Sequence, residues 1–188
     1  MNIVDSAYAR ASSHNFGQSC EPAVGQLLAT LAAGLPHNAR VLEIGTGVGV
    51  GTAWIVSGLL PRTDVSVTSL ESDEATAAIA KGADWPAFVE FKVNDALDYL
   101  ETPGEGFDLI FADAFGGKIE GLDRTLANLN PRGTLVVDDM APVEGWPADF
   151  RAKQEGVRQA LLADAGLVAV ELAHGTGVII GVRRHPAG

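Results

Sequence analysis

This chain of 188 residues should fold as an α/β three-layer sandwich: a seven-stranded, mostly parallel sheet with one antiparallel strand supplied by a C-terminal hairpin. Three features carry that expectation. Short apolar, β-branched runs alternate with segments of helical periodicity along the whole length. Four glycines fall within seven residues, Gly45 to Gly51, between the first strand and the helix after it. Gly175-Thr-Gly177 separates the last two strand-like runs, as a hairpin turn does. Strands alternating with helices imply right-handed crossovers and a sheet covered on both faces, and the closing hairpin must then set one strand against the rest.

Taken in order, one helix is expected before the first strand, over Pro22–Ala33, with apolar residues at 24, 27, 28, 31 and 32 and a stop at Gly34 and Pro36. Arg40–Ile44 is a short buried strand, followed by the glycines and a helix from about 51 to 60. Val65–Leu70 alternates as a strand, and Asp73–Lys81 is helical. Val89–Val93 is the third strand, with a short helix over Ala96–Leu100, and Phe107–Ala112 is an almost wholly apolar fourth. A helix over Leu122–Leu129 is stopped by Pro131, and Thr134–Val137 forms the fifth strand. Asp149–Ala165 is the last long helix, before strands over 167–172 and 178–182. No repeat or low-complexity linker interrupts the pattern, so residues 1–188 read as a single domain.

Composition narrows the function. The formal charge is −11, and residues 64–113 hold twelve carboxylates against Lys81 and Lys92 alone. A phosphate-backbone binder needs the opposite field, so neither nucleic acid nor an anionic membrane is an expected partner. The uncharged run from Ile44 to Pro61 contains five glycines and ends in proline, which suits a loop and helix better than a membrane span. The first residues lack the basic and apolar regions of a signal peptide. A lone cysteine, Cys20, allows neither an internal disulfide nor a multi-cysteine metal site and reads as a small buried apolar residue. A soluble cytoplasmic enzyme is expected.

Ligands on such sheets sit at the carboxyl ends of the strands, which selects Glu43 to Gly51, Glu71, Asp95, Asp113 and Asp138–Asp139. The dinucleotide pattern G-x-G-x-x-G/A fails in every register: from Gly45 it ends on Val50, from Gly47 on Thr52, from Gly49 on Trp54. The P-loop pattern fails too, since no Gly-Lys-Ser/Thr follows. What remains is a Rossmann-like loop spaced G-x-G-x-G. Glu43 precedes it, Thr46 lies within it, and Glu71-Ser72 follow at the end of strand two. A carboxylate at Glu71 can accept both hydroxyls of a ribose. Asp95-Ala96 would lie beside an adenine. A pocket rich in carboxylates and free of phosphate-binding signals favours a cationic nucleoside such as S-adenosylmethionine over an anionic dinucleotide.

Five segments carry a family resemblance: Val41-Leu-Glu-Ile-Gly-Thr-Gly-Val-Gly49, Ser69-Leu-Glu71, Asn94-Asp-Ala96, Phe107-Asp-Leu-Ile-Phe-Ala-Asp113 and Gly133-Thr-Leu-Val-Val-Asp-Asp139. Together they resemble the successive motifs of class I SAM-dependent methyltransferases, over about half the chain. The branch most resembled is the small-molecule O-methyltransferases of the catechol and caffeoyl-CoA type, and Ser19 to Leu31 resembles its substrate-side helix. The resemblance implies cofactor contacts at Glu43, Gly45, Thr46, Gly47, Gly49, Gly51, Glu71, Ser72, Asp95, Ala96 and Asp113. It implies a cofactor half over about 40–113, a substrate half over about 114–188, and a small-molecule acceptor methylated on a hydroxyl oxygen.

That branch also binds a divalent cation on Asp, Asp and Asn. The corresponding residues here are Asp113, Asp138 and Asp139, three hard oxygen donors suited to Mg²⁺ or another divalent ion. The branch places a catalytic lysine three residues after its strand-four Asp. Gly116 stands there instead, and Lys118, two residues on, is its candidate replacement, although a lysine in so glycine-rich a loop more often faces solvent. Asp95 and Asp138 fit helix or loop caps as well as ligands. Trp54 fits packing; Trp146-Pro147, just after strand five, could form a substrate wall, but more often such a residue packs; and His14 and His174 receive no role. Competing functions are metal-independent methylation of another nucleophile, aminopropyl transfer (suggested by Phe111-Ala-Asp-Ala-Phe115), and non-catalytic SAM binding. The apolar helix at 20–35 could pair with a second copy of the chain to form a homodimer.

Overall fold

A computed structural model describes residues 2–101, 104–143 and 145–185. Seven strands form one sheet: β1 (Arg40–Ile44), β2 (Ser66–Glu71), β3 (Val89–Val93), β4 (Phe107–Ala112), β5 (Leu129–Val137), β6 (Leu167–Leu172) and β7 (Val178–Arg183). Their spatial order is β3-β2-β1-β4-β5-β7-β6. The first five pair in parallel, and β7 runs antiparallel to both of its neighbours. The hairpin therefore supplies the single reversed strand, as expected.

Alternation along the central strands builds two cores. Val41, Leu109, Phe111 and Val136 face one side of the sheet, under α1 (Ile3–Ser13), α2 (Pro22–Ala33), α3 (Val50–Leu59) and α4 (Glu74–Lys81). Leu42, Ile44, Ile110, Leu135 and Val137 face the other, under α5 (Ala96–Leu100), α6 (Leu122–Ala127) and α7 (Ala148–Ala163). A strand buried on both faces must read as a continuous apolar run, which is why β4 was so plain in the sequence.

Two elements differ from expectation. Two helices, not one, precede β1. The first, α1, buries only Val4, Ala7 and Ala11, spaced for one face but too small to announce an amphipathic helix. Asn2 caps it by accepting from the Asp5 N–H at 2.8 Å. Tyr8 then joins three segments, its hydroxyl donating to the Cys20 carbonyl (2.8 Å) and accepting from Trp54 Nε1 (3.1 Å). Strand β5 also begins earlier than Thr134, at Leu129, and passes through Pro131, Arg132 with a left-handed φ of 67°, and Gly133. Proline and glycine hide a strand, and a register shift against β4 lies at that point.

The apolar face of α2 is spent within the chain. Gly25 lets the helix approach so closely that a Cβ there would overlap the Trp54 indole of α3. No strand precedes β1 among the described residues, so the β-rich leader that aminopropyl transfer would require is not found there. No helix is long and apolar enough to cross a membrane.

Candidate active site

At the carboxyl end of β1 the chain turns sharply through the glycines. Gly45 has φ +100°, and a Cβ on it would stand 2.8 Å from the Asp113 carbonyl oxygen, so only glycine lets the loop lie against the end of β4. The N–H groups of Gly45 and Thr46 donate to the Leu70 carbonyl at 3.0 and 2.9 Å. Glu71, closing β2, accepts from Gly47 N–H at 2.9 Å through one carboxylate oxygen and from Asp73 N–H at 3.0 Å through the other. The loop is thus tied to the tip of β2 before any ligand arrives.

Glu43 lies inside β1 and is fully buried. Its Oε2 accepts from the hydroxyls of Thr52 and Ser69, the latter at 2.6 Å, while its Oε1 has no partner. Burial pushes this carboxyl up to about 7, against the pull of the Ser69 and Thr52 hydroxyls and with a further push from Glu71. An unfolded glutamate titrates near about 4.3. Between those values the folded chain keeps a proton that the unfolded chain has released. Stability therefore falls as pH rises through this window and levels off above it. Glu43→Gln, which cannot ionise, should gain stability over the parent as pH rises, by up to roughly 3–4 kcal/mol above the window. Melts of both chains from about pH 5 to about pH 8 test this, because Asp113 and Asp138 are common to both. Parallel curves would show that Glu43 titrates normally.

Two adjoining cavities open at this edge of the sheet, of about 820 and 280 Å³. The larger is lined by Glu43, Gly45, Thr46, Gly47 and Gly51, and continues past Glu71 to Asp113, Lys118, Asp138 and Asp139. The smaller lies beyond Glu71, against Ser72, Asp95 and Ala96. Asp95 also caps α5, accepting from Leu97 N–H at 2.7 Å, so the cap and the lining role coexist. Gly49 reaches neither cavity. It caps α3 with φ +86° and packs beneath Trp85 and Arg10.

Asp113 follows β4, and Asp138 and Asp139 follow β5. One carboxylate oxygen from each lies within 4.8 Å of the others. Lys118 is not solvated. Its side chain is 7% exposed, and Nζ stands 3.9 Å from Asp113 Oδ1, 3.8 Å from Asp139 Oδ2 and 3.2 Å from the Asp138 carbonyl oxygen. The loop that carries it folds back on itself: Ile119 N–H donates to the Phe115 carbonyl at 2.8 Å, and the Thr125 hydroxyl of α6 donates to the Gly117 carbonyl at 2.6 Å. Burial holds the Asp113 carboxyl well above the usual carboxylate range. Lys118 opposes the shift, and Asp138, Asp139 and Glu43 add to it. Asp138 is also raised by burial, against the Thr176 hydroxyl and the Asp139 N–H that it accepts from.

Residues 42–140 match the family described as methyltransferase domain. This chain belongs to that family. A Mycolicibacterium vanbaalenii protein provisionally named an O-methyltransferase is 31% identical to it over 196 residues, covering 96% of this chain and 84% of that protein. Among solved structures, a Klebsiella pneumoniae protein with the same provisional name superposes with a TM-score of 0.77 at 27% identity, over 97% of this chain and 90% of that one. An O-methyltransferase from Bacillus cereus, solved with S-adenosylhomocysteine, superposes at 0.79 with 23% identity over 97% and 90%, a likeness of fold.

The methyltransferase cavity has further walls, of which Phe16, Phe150 and Thr176 carried no signal in the sequence. The connection between α1 and α2 contributes Phe16, Ser19 and Cys20, and the far side contributes Trp146, Phe150 and Thr176. Trp146 belongs to the cavity wall and not merely to packing. Its ring meets Phe150 edge-on at 5.0 Å, and Phe150 stacks on Phe115 at 6.4 Å. Glu144, two residues before Trp146, lies outside the described residues. Arg10 reaches the glycine loop, donating from Nε to the Val48 carbonyl at 2.7 Å. Three buried side-chain atoms lack partners among the described residues: Arg10 Nη2, Ser19 Oγ and Glu43 Oε1. Nothing in the spacing of Arg10 or Ser19 marks them, because the fold of the leader brings them there.

The donor set of Asp113, Asp138 and Asp139 suits a hard cation, but the charge already seated there does not. A dication bonded to these oxygens at about 2.0–2.6 Å would share two of its ligands with the buried Lys118 ammonium and be repelled by it. The Lys118 ammonium already takes the place among these oxygens that a resident divalent ion would need, so the methyltransferase as folded does not fit one.

Proposed function

We propose that this methyltransferase moves the methyl group of S-adenosylmethionine to a hydroxyl oxygen of a small, flat, largely apolar acceptor. The observation that carries the reading is the placement of the unpartnered buried atoms. Ser19 Oγ and Glu43 Oε1 belong to residues lining the larger cavity, while Arg10 Nη2 lies against Gly49 of the glycine loop, outside that lining. A buried polar atom without a partner is costly, and a hydroxyl and a carboxyl group on the wall of one cavity suit an amino-acid end with its own carboxylate and ammonium. Glu71 stands between the two cavities and is the group assigned to the ribose. Ser72, Asp95 and Ala96 frame the smaller cavity for the base.

When bound, S-adenosylmethionine supplies an electrophilic methyl carbon on a sulfonium, and its transfer leaves a neutral thioether. The chain's task is to align the acceptor oxygen with that carbon and to manage one proton. The Asp113 carboxylate takes the hydroxyl proton as the new C–O bond forms and the C–S bond breaks. The Lys118 ammonium balances negative charge developing on the oxygen. Phe115, Trp146 and Phe150 wall the acceptor side and set its shape. Calorimetry with S-adenosylmethionine and S-adenosylhomocysteine, then thioether release with a panel of catechols and hydroxycinnamates, tests the reading. Tight NADH binding without S-adenosylmethionine binding would sink it.

A further inference from the structure

Lys118 is the single cation among the described residues that line the larger cavity. All three residues that offer carboxylates to a metal already meet its ammonium, Asp113 and Asp139 through side-chain oxygens and Asp138 through its carbonyl. We infer that Lys118 is the resident cation of this site. Its ammonium stands in for a metal among Asp113, Asp138 and Asp139, the chain needs no divalent ion, and the three carboxylates are a latent metal site that opens only when the amine is removed.

The loop geometry makes Lys118 a fixture. Gly117 has φ +83°, and a Cβ there would come within 2.8 Å of Ile44 Cδ1, so the loop lies flat on the end of β1 where a side chain has no room. The bond from Thr125 to the Gly117 carbonyl pins the residue before Lys118, and the bond from Ile119 to Phe115 pins the one after it. The remaining freedom is in the lysine's own torsions. To swing out, the ammonium would have to leave a buried position facing two carboxylates and a carbonyl. A cation in an anionic pocket is held firmly when the surroundings exclude water.

The ammonium also suits the task. It is a point charge with three donors, of which the Asp138 carbonyl engages one at hydrogen-bond distance. Nζ also stands 3.9 and 3.8 Å from the Asp113 and Asp139 carboxylates at the cavity wall, where an acceptor oxygen gaining charge can receive one of the remaining donors. It gives such an oxygen electrostatic support without an inner-sphere bond.

This inference rests on the methyl-transfer reading only where turnover is measured, because cation binding is read without cofactor or acceptor. Mg²⁺, Mn²⁺ and Ca²⁺ are titrated calorimetrically into the chelator-treated parent and into Lys118→Gln. The parent should show no site of millimolar affinity or better, while the variant should bind at least one ion tenfold or more tightly than the parent. A millimolar or tighter site in the parent overturns the inference, and so does the absence of a site from both chains. If Lys118→Gln does not fold, parent turnover in excess EDTA decides. Full turnover supports the inference, and a loss restored by Mg²⁺ defeats it. Failure of the methyl-transfer reading would look different: no S-adenosylhomocysteine binding by the parent, with the cation titrations unaffected.

Discussion

Asp113→Asn should lower kcat/KM for methyl transfer by about 10²–10⁴-fold, the range that a positioned proton acceptor contributes. The substitution keeps the shape at the end of β4, where the backbone N–H of residue 113 donates to the Ile44 carbonyl at 2.9 Å. It removes the one carboxylate that both lines the larger cavity and follows the central strand. Because burial holds the Asp113 carboxyl well above its usual range, ionising it is unfavourable in the fold. The amide should therefore leave the melting temperature unchanged or raised near neutral pH. S-adenosylhomocysteine affinity should fall by no more than about ten- to a hundredfold, the loss of one charge-assisted hydrogen bond. A loss of turnover in a chain that is equally stable and still holds the cofactor cannot be put down to unfolding. Retention of more than a tenth of the parent rate would remove Asp113 from the proton's path.

What could be read from the sequence was whatever local chemistry determines. The run at β4 is almost wholly apolar because both faces of the sheet are covered, and Gly45 is glycine because the Asp113 carbonyl leaves no space for a Cβ. Glu71 and Asp95 were found because strand ends at a sheet's carboxyl edge are few. Long-range contacts decided the rest. Helix α1 is built on alanines and shows its purpose only when Tyr8 meets Cys20 and Trp54. Ser19 joins the cavity through that same contact. Lys118 read as a loop cation because five residues with two glycines, Ala114 to Lys118, have no local reason to fold inward. The reason is Thr125, seven residues further on, which takes the Gly117 carbonyl. The aromatic wall of Trp146 and Phe150 belongs to the entry and first turn of α7, whose placement over β6 and β7 no spacing rule conveys.

Glu71→Ala should weaken S-adenosylhomocysteine binding by about ten- to a hundredfold, as loss of a charge-assisted hydrogen bond of about 1.5–3 kcal/mol implies. The structure adds a second route to the same loss. Both carboxylate oxygens already accept backbone N–H groups, one from Gly47 in the glycine loop and one from Asp73 at the start of α4. Removing the side chain frees the loop as well as the ribose contact, so binding must also order a loop that the parent holds ready. Glu71→Gln separates the two. Its carbonyl can keep the Gly47 bond, but it offers one acceptor where the carboxylate offers two, and no charge. Glutamine should therefore cost about tenfold, and alanine more, with the difference between them reporting the loop. Calorimetry on the three chains gives the affinities, and hydrogen exchange at Gly47 in the ligand-free chains gives the loop. Equal affinity in parent and alanine variant would take Glu71 out of the site. Equal loss in both variants, with Gly47 still protected in the alanine chain, would leave the ribose contact alone as its role.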